Sequence, residues 1–379
     1  MEDIKMTAQK AQYAKLKPEL DQAFSTMMAS MELQDGPQVK SLARALEDYL
    51  QVAHALPCAH GTDALLLALA ALDLPAGGEV ILPAFCDRFV AEAVAASGLQ
   101  PMFADVLPDT FTIDPVAVSS LVTPGTVAVI AVHLFGQCAD LAELLQLAKR
   151  HQFYVIEDSA QSFGASYTMP DNTTYRAGAL ADIAITSFYP PKPLAGMDDG
   201  GAVLTNQPAW ARKAEELLRK GGPNNSQTGA LSRPAPIAAL DAALLEVKIK
   251  YISDYKQARQ QVAAVYDQLF EKCGLCQVPV RNSRSTHIFQ QYVLKVPGHL
   301  RDALQQHLQQ HYIPSTVYYP QPLHLQNEFQ LSYQYKKGDL PVAEEVAASV
   351  LSLPMHTELT EEQQGYIAYH TISFLQEHG

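Results

Sequence analysis

Lys192 lies in the segment Ser187-Phe-Tyr-Pro-Pro-Lys-Pro-Leu-Ala-Gly-Met-Asp-Asp-Gly-Gly-Ala-Val203. A lysine flanked by prolines falls outside an ordinary helix. Proline fixes φ, lacks a backbone donor and pushes the preceding residue out of the α region. An apolar run, Ala181–Phe188, leads in, and an Asp-Asp-Gly-Gly turn and a second run, Ala202–Thr205, follow. An amine on a stiff turn between two strands has the chemistry of a lysine that condenses with a carbonyl. Alone, Lys192 reads more readily as a solvated loop lysine, so the assignment rests on its company.

Two upstream segments supply that company. Ala59-His-Gly-Thr-Asp-Ala-Leu opens a strongly apolar helix. Thr62 or Asp63 is placed to cap it. Gly61 lets a ligand approach the backbone, and free N–H groups with the helix dipole attract phosphate. Val155-Ile-Glu-Asp-Ser-Ala-Gln ends a buried strand at Asp158. A carboxylate there can pair with a protonated pyridine nitrogen, and Gln161 is placed to hydrogen-bond a ring substituent. Ser187, five residues before the lysine, is placed to donate to a phosphate. Each feature alone has a plain structural reading as a cap or turn residue. In this order they form the parts list of a pyridoxal-phosphate site.

The elements around these segments alternate. Glu79–Pro83, Pro101–Val106, Thr126–Val132 and Phe153–Asp158 read as strands, with helices at Asp63–Leu72, around Ala93–Ser97 and at Leu141–His151. This rhythm predicts an α/β fold with a mostly parallel sheet flanked by helices, whose ligands lie at the carboxyl ends of the strands. Helices are also expected at Ala8–Met31, Gln38–Leu50 and Pro208–Lys220, where Trp210 is a packing residue, and over Ala238–Lys272, in one piece or two. Gly221–Gly229 reads as a loop. A smaller C-terminal α+β unit follows, with strands at Ile288–Lys295 and near Ser315–Tyr319 and helices at Leu300–Tyr312, Val342–Leu351 and Thr360–Gln376. The expected division is 1–245 and 246–379.

Composition narrows the class. The 379 residues carry a formal net charge of −13, which argues against nucleic-acid or anionic-membrane partners. No apolar run is long enough for a membrane span and no signal peptide is visible, so a cytoplasmic chain is expected. Cys58, Cys86 and Cys138 are scattered, and Cys273-Gly-Leu-Cys276 is a lone pair without a second. No metal site is expected from them.

The order and wording of these segments resemble the DegT–StrS family of sugar aminotransferases, fold-type-I pyridoxal-phosphate enzymes. The resemblance runs nearly end to end. It is carried by Ala11–Lys17, Gly61-Thr-Asp-Ala-Leu, Asp105–Asp114, His133-Leu-Phe-Gly-Gln-Cys-Ala-Asp140, Val155–Gly164, Tyr319-Pro-Gln-Pro-Leu-His324 and Leu351-Ser-Leu-Pro-Met-His356. Gln161–Tyr167 and Lys192-Pro-Leu look most like transaminases acting on a UDP-linked 2-acetamido-3-keto uronic acid. The resemblance implies a homodimer with shared sites that moves an amino group from glutamate to a nucleotide-linked keto sugar for surface polysaccharide. It implies that Lys192 is the catalytic lysine, that Asp158 holds the pyridine nitrogen, and that Gln161 contacts the phenolic side of the ring. Ser187, Gly61 and Thr62 would bind the phosphate, and Tyr319 and His324 would contact substrate.

Four departures surround that site. Asp87 stands where the family usually has a ring-stacking aromatic; Phe85 and Phe89 are the nearby substitutes. His60 precedes Gly61 where relatives have a small or amide residue. Pro234 and Pro236 fall where relatives carry a cross-subunit asparagine and an arginine, with Arg233 a possible replacement donor. Asp198 replaces a glycine. The alternatives are a member that binds a sugar nucleotide without transamination, and a sugar dehydratase, a branch in which histidine replaces the lysine.

Overall fold

The computed structural model describes residues 3–31, 36–220 and 234–379. The expected loop 221–229 and Arg233 lie outside the described residues. Helices α1 (Gln9–Ser30) and α2 (Pro37–Leu50) open the chain. Then come β1 (His54–Cys58), α3 (Gly61–Ala71), β2 (Glu79–Pro83), α4 (Arg88–Ala96), β3 (Gln100–Ala104) and α5 (Pro115–Leu121). They are followed by β4 (Thr126–Val132), α6 (Leu141–His151) and β5 (Tyr154–Asp158). A ribbon of β6 (Ser166–Thr168) and β7 (Thr174–Arg176) precedes β8 (Ile183–Ser187), β9 (Gly201–Thr205) and α7 (Pro208–Lys220). Helices α8 (Ala239–Ile249) and α9 (Ile252–Phe270) lead to β10 (Tyr292–Lys295), α10 (Gly298–Gln310), α11 (Asn327–Tyr333), α12 (Pro341–Ser349), β11 (Val350–Leu353) and α13 (Glu361–His378).

The main sheet has the order β1-β9-β8-β5-β4-β2-β3. Only β9 runs against its neighbours; the pairs from β8 to β3 are parallel. Successive side chains on a strand point to opposite faces, and the core divides accordingly. Leu82, Ile130, Ile156, Ile185 and Val203 pack with residues of α3, α4 and α7. Ile81, Val129, Ala131 and Val155 pack with Leu141 and Leu144 of α6. Ala184 and Leu204 meet Leu42, Leu46 and Leu50 of α2 and Leu245 of α8. Both faces are thus covered, which is why β4 carries no polar alternation.

A second core joins α9, β10, α10, β11 and α13, with Tyr266, Phe270, Tyr292, Leu304, Leu308 and Ile367 at its centre. The segments are tied across the molecule. Asp105, just after β3, accepts from the N–H of Val342 (3.0 Å) and Ala343 (2.7 Å). It satisfies two of the donors that the first turn of α12 leaves without helical partners.

Several elements differ from expectation. The strand expected from Ile288 begins at Tyr292, because the Ile288 and Gln291 N–H groups instead donate to Gly136 and Phe135 carbonyls. Near Ser315 only Thr316 pairs, in a single bridge to Ser352. The helix expected to Leu351 stops at Ser349 and becomes β11, which pairs with β10. The Ala238–Lys272 stretch, expected as one helix or two, is two, divided at Lys250–Tyr251.

Glu157 and Asp158 are neighbours on β5 and so face opposite ways. Glu157 is fully buried and accepts from His133 Nε2 (2.9 Å) and from the N–H of Gly178 (2.7 Å), Leu180 (2.9 Å) and Ala181 (2.7 Å). His133 Nδ1 accepts from Ala139 N–H, so the ring proton sits on Nε2. Burial alone would raise the Glu157 pKa, but the His133 contact and the backbone donors outweigh it and the net shift is downward. Glu157→Gln places an NH2 group against these donors and is expected to cost about 3 kcal/mol in urea unfolding. Because the folded pKa is depressed, the wild-type advantage is complete above the ordinary glutamate value of about 4.3 and is lost as pH falls through the lower folded value. Urea titrations of both proteins at pH 7 and in this acid range check the sign.

Candidate active site

The two-residue period decides which side chains meet. Asp158 shares its face with Ile156, and Ser187 with Ile185, so both point to the α3 side of the sheet. There the first residue of α3 presses on the end of β8. A Cβ on Gly61 would lie 2.8 Å from Ser187 Cβ and 3.0 Å from its Oγ. A Cβ on Gly201 would lie 2.7 Å from the His60 carbonyl oxygen and 2.9 Å from Gly61 Cα. Two glycines are therefore what brings a helix N-terminus against the serine.

Neither Thr62 nor Asp63 caps α3, contrary to expectation. His60 is the N-cap residue and its side chain makes no cap hydrogen bond. Asp63 is instead turned inward, accepting from Ala235 N–H (3.2 Å) and pairing with His60 Nδ1 (3.1 Å). Thr62 is exposed. The segment bearing Pro234 and Pro236 is pinned beside this turn, with Ala59 N–H donating to the Ala235 carbonyl. Neither proline has an N–H to offer an anion.

The turn carrying Lys192 is held from several sides. Its own N–H donates to the Tyr189 carbonyl (2.8 Å), and Gly196 N–H to that of Phe188 (2.7 Å). Gln290 Nε2 donates to the Pro191 carbonyl (2.5 Å), Lys248 Nζ to that of Ala195 (2.7 Å), and Met197 N–H to Asp241 Oδ1 (3.2 Å). Burial lowers the Lys192 pKa, partly opposed by Asp158, Asp87 and Asp199 nearby. Burial raises that of Asp158, partly opposed by the Ala160 N–H bond (3.0 Å) and the Lys192 charge. Each shift disfavours the charged form of its group, so an added partner of opposite charge favours that form.

Gln161 faces the same space. Its Oε1 accepts from Phe135 N–H (3.0 Å), and its Nε2 donates to Tyr319 Oη (3.1 Å). Burial keeps the Tyr319 hydroxyl protonated. Phe85 is packed edge-on among Phe111, Phe135 and Tyr319, so it is committed to the core and not free to stack on a ligand. Asp87 caps α4, accepting from Phe89 N–H (3.3 Å). Asp198 is exposed. His324 has other neighbours: it is fully buried, bonds Glu344 through Nε2 (3.1 Å) and meets the Tyr335 ring. Lys192, Asp158, Gln161, Tyr319, Asp87 and Asp199 come together, Gly61 and Ser187 form a cradle, and His324 pins α12.

Residues 14–371 match the model of the DegT/DnrJ/EryC1/StrS aminotransferase family. The chain belongs to this family. It is 38% identical over 358 residues to a pleiotropic regulatory protein of Geobacillus stearothermophilus, covering 94% of each chain. It is 34% identical over 350 residues to the UDP-2-acetamido-2-deoxy-3-oxo-D-glucuronate aminotransferase of Pseudomonas aeruginosa, covering 92% of this chain and 94% of that one. Among solved structures, S. venezuelae DesV in complex with a ketimine intermediate is similar with a TM-score of 0.91 at 30% identity, covering 99% of both chains. The DegT/DnrJ/EryC1/StrS aminotransferases thus share the whole architecture of this chain, and the chain is an aminotransferase of that family, whose relatives include enzymes named for nucleotide-linked sugars.

Sequence reasoning passed over Gln290. The polar pair Gln290-Gln291 inside an apolar run was its signal. Gln290→Ala removes the contact to Pro191 and is expected to cost about 1 kcal/mol. Hydrogen exchange should quicken in residues 189–197 and stay unchanged in β4.

Proposed function

We propose that this chain binds pyridoxal phosphate through the cluster around Lys192 and moves the amino group of glutamate to a nucleotide-linked keto sugar. The observation that carries the reading is the joining of three features on one sheet face. They are the Gly61–Ser187 cradle at a helix N-terminus, the buried Asp158 carboxylate and the half-buried Lys192 amine. The donor set fits the cofactor. A helix start without a side-chain cap accepts a phosphate, and a carboxylate with a raised pKa gains from a cationic ring nitrogen. When bound, the cofactor supplies a carbonyl for amine exchange and an electron-withdrawing ring.

The roles of the residues follow. Ser187 Oγ and the N–H groups of Gly61 and Thr62 hold the phosphate. Asp158 holds a proton on the ring nitrogen. Gln161 orients the phenolic side, itself held by Phe135 N–H and Tyr319. Lys192 Nζ, uncharged more readily than an ordinary lysine, would remove the proton from the amine-bearing carbon of glutamate and, in the second half-reaction, deliver one to the sugar carbon that gains the nitrogen. The nitrogen lost by glutamate reappears on the sugar, with no net redox change. The name of the Pseudomonas aeruginosa relative supports a UDP-linked 3-keto uronic acid as the acceptor; surface polysaccharide is the proposed destination of the product. Tyr319 lies within reach of that substrate. Tyr189 and Met197, which flank Lys192, expose 55% and 59% of their surface, and a second copy of the chain covers them in a homodimer with shared sites. Among the described residues no helix is long and apolar enough to cross a membrane.

A second reading, binding without turnover, is favoured by Asp87, a carboxylate where relatives stack an aromatic, and by the regulatory name of one relative. Visible spectra separate the two. Wild type with pyridoxal phosphate should show the band of the lysine-bound cofactor, and glutamate should bleach it; Lys192→Ala should show neither. A band that glutamate leaves intact favours the second reading, and no band overturns the aminotransferase reading and leaves the binding of a sugar nucleotide without transamination.

Filling the cradle should weaken cofactor binding. Gly61→Ala forces Ser187 aside, a strain of about 1–3 kcal/mol, and is expected to raise the cofactor Kd about tenfold or more. Equilibrium dialysis reads it directly. Light scattering at micromolar protein should give twice the chain mass; a monomer would remove the shared site.

A further inference from the structure

Three histidines form a cluster that the reaction does not use. His307 lies on the last turns of α10 and His311 follows at its C-cap, one helical turn on. His370 comes from α13, which packs across α10 in the second core. A ring nitrogen of each lies within 4.8 Å of a ring nitrogen of both others, and all three rings are part-buried. The ring centroids of His311 and His370 are 4.0 Å apart, and those of His307 and His311 4.4 Å. None of the three belongs to the group around Lys192.

Their hydrogen bonding leaves lone pairs free. His311 Nδ1 lies 2.8 Å from the His307 carbonyl oxygen. A carbonyl can only accept, so Nδ1 carries the proton and Nε2 keeps its lone pair. This is the arrangement that orients metal-binding imidazoles, in which the other ring nitrogen donates to a backbone carbonyl. His307 Nε2 is buried without a partner, and the His370 ring makes no hydrogen bond among the described residues. Burial, reinforced by the neighbouring imidazoles, lowers the pKa of His307 and of His370. One divalent ion held between the three rings can satisfy their free lone pairs.

We infer that His307, His311 and His370 form a binding site for one borderline-soft divalent transition ion of the Zn2+, Co2+ or Ni2+ class, which clamps α10 to α13. Imidazole donors select these ions, while Mg2+ and Ca2+ take oxygen ligands. Three protein nitrogens leave a fourth position for water. Bonds of about 2.0–2.1 Å place tetrahedral nitrogens roughly 3.3 Å apart, so the rings close on the ion by side-chain rotation. Leu304, Leu308, Ile367 and Phe374 hold the two helices in place. The absence of a metal site expected from the cysteines did not weigh these histidines. The i,i+4 pair His307 and His311 was the available signal, and only the fold adds His370.

The test uses the untagged full chain, stripped with chelator and desalted, then titrated with Co2+ or Zn2+ alone. One ion per chain is expected, with the visible d–d bands of nitrogen-ligated Co2+ and a rise in Tm, and no response to Mg2+. His370→Ala and His311→Ala should each weaken binding at least tenfold, since even outer-shell losses cost about 10- to 100-fold. Cys273→Ser/Cys276→Ser should leave it unchanged. His370→Gln serves where the alanine variant does not fold. Absence of binding to the wild type, binding unchanged in the His370 variants, or loss of binding in the cysteine variant overturns the inference.

Discussion

Everything at the site depends on how closely the start of α3 meets the ends of β8 and β9. Gly61 and Gly201 leave no room for a Cβ against Ser187 and the His60 carbonyl. Glycine here is needed for close approach and not for an unusual φ. The contact sets the height of α3 over the sheet, and with it the direction in which its uncapped N–H groups and dipole point. A side chain at either position would separate the helix start from the serine, and the proposed anion site would come apart even if every polar residue were kept.

Charge is arranged around that contact by strand alternation. On β5, Glu157 points to the α6 face and is fully satisfied by His133 and three backbone donors. Asp158 points to the α3 face and has one backbone donor and the lysine. The first carboxylate is locked in its charged form and holds the turn after β7. The second is left short of partners. Two adjacent acids thus have opposite duties, decided by the pleat: one holds the structure, and the other is available for chemistry.

The C-terminal elements complete the site from outside the sheet. Tyr319 reaches Gln161, Gln290 holds the turn at Pro191, and the Leu323 N–H donates to the Ala84 carbonyl beside Asp87. Asp105 and His324 fasten α12 to this frame. Much of the wording by which the chain resembles its family lies in these fasteners. Such segments hold the parts in register as well as supplying the reactive groups.

The periodicity of the chain by itself determined the alternating strands and helices and the parallel heart of the sheet, while the order of its motifs put forward Lys192, Asp158, Gln161 and Ser187 as a candidate set. These are local or pattern properties: a buried strand has to be apolar, and a lysine between prolines cannot be helical. The late start of β10, the single bridge at Thr316 and the short β11 were not legible, because their backbone partners are remote in sequence. The same holds for Asp63, which reads as a cap until Ala235 arrives beside it, and for His324, which reads as a substrate contact until α12 folds over it. Phe85 looked available to stack until Phe111, Phe135 and Tyr319 enclosed it. The order of residue types limits what chemistry is possible, whereas which lone pair or ring is left unpaired is decided only when distant segments pack.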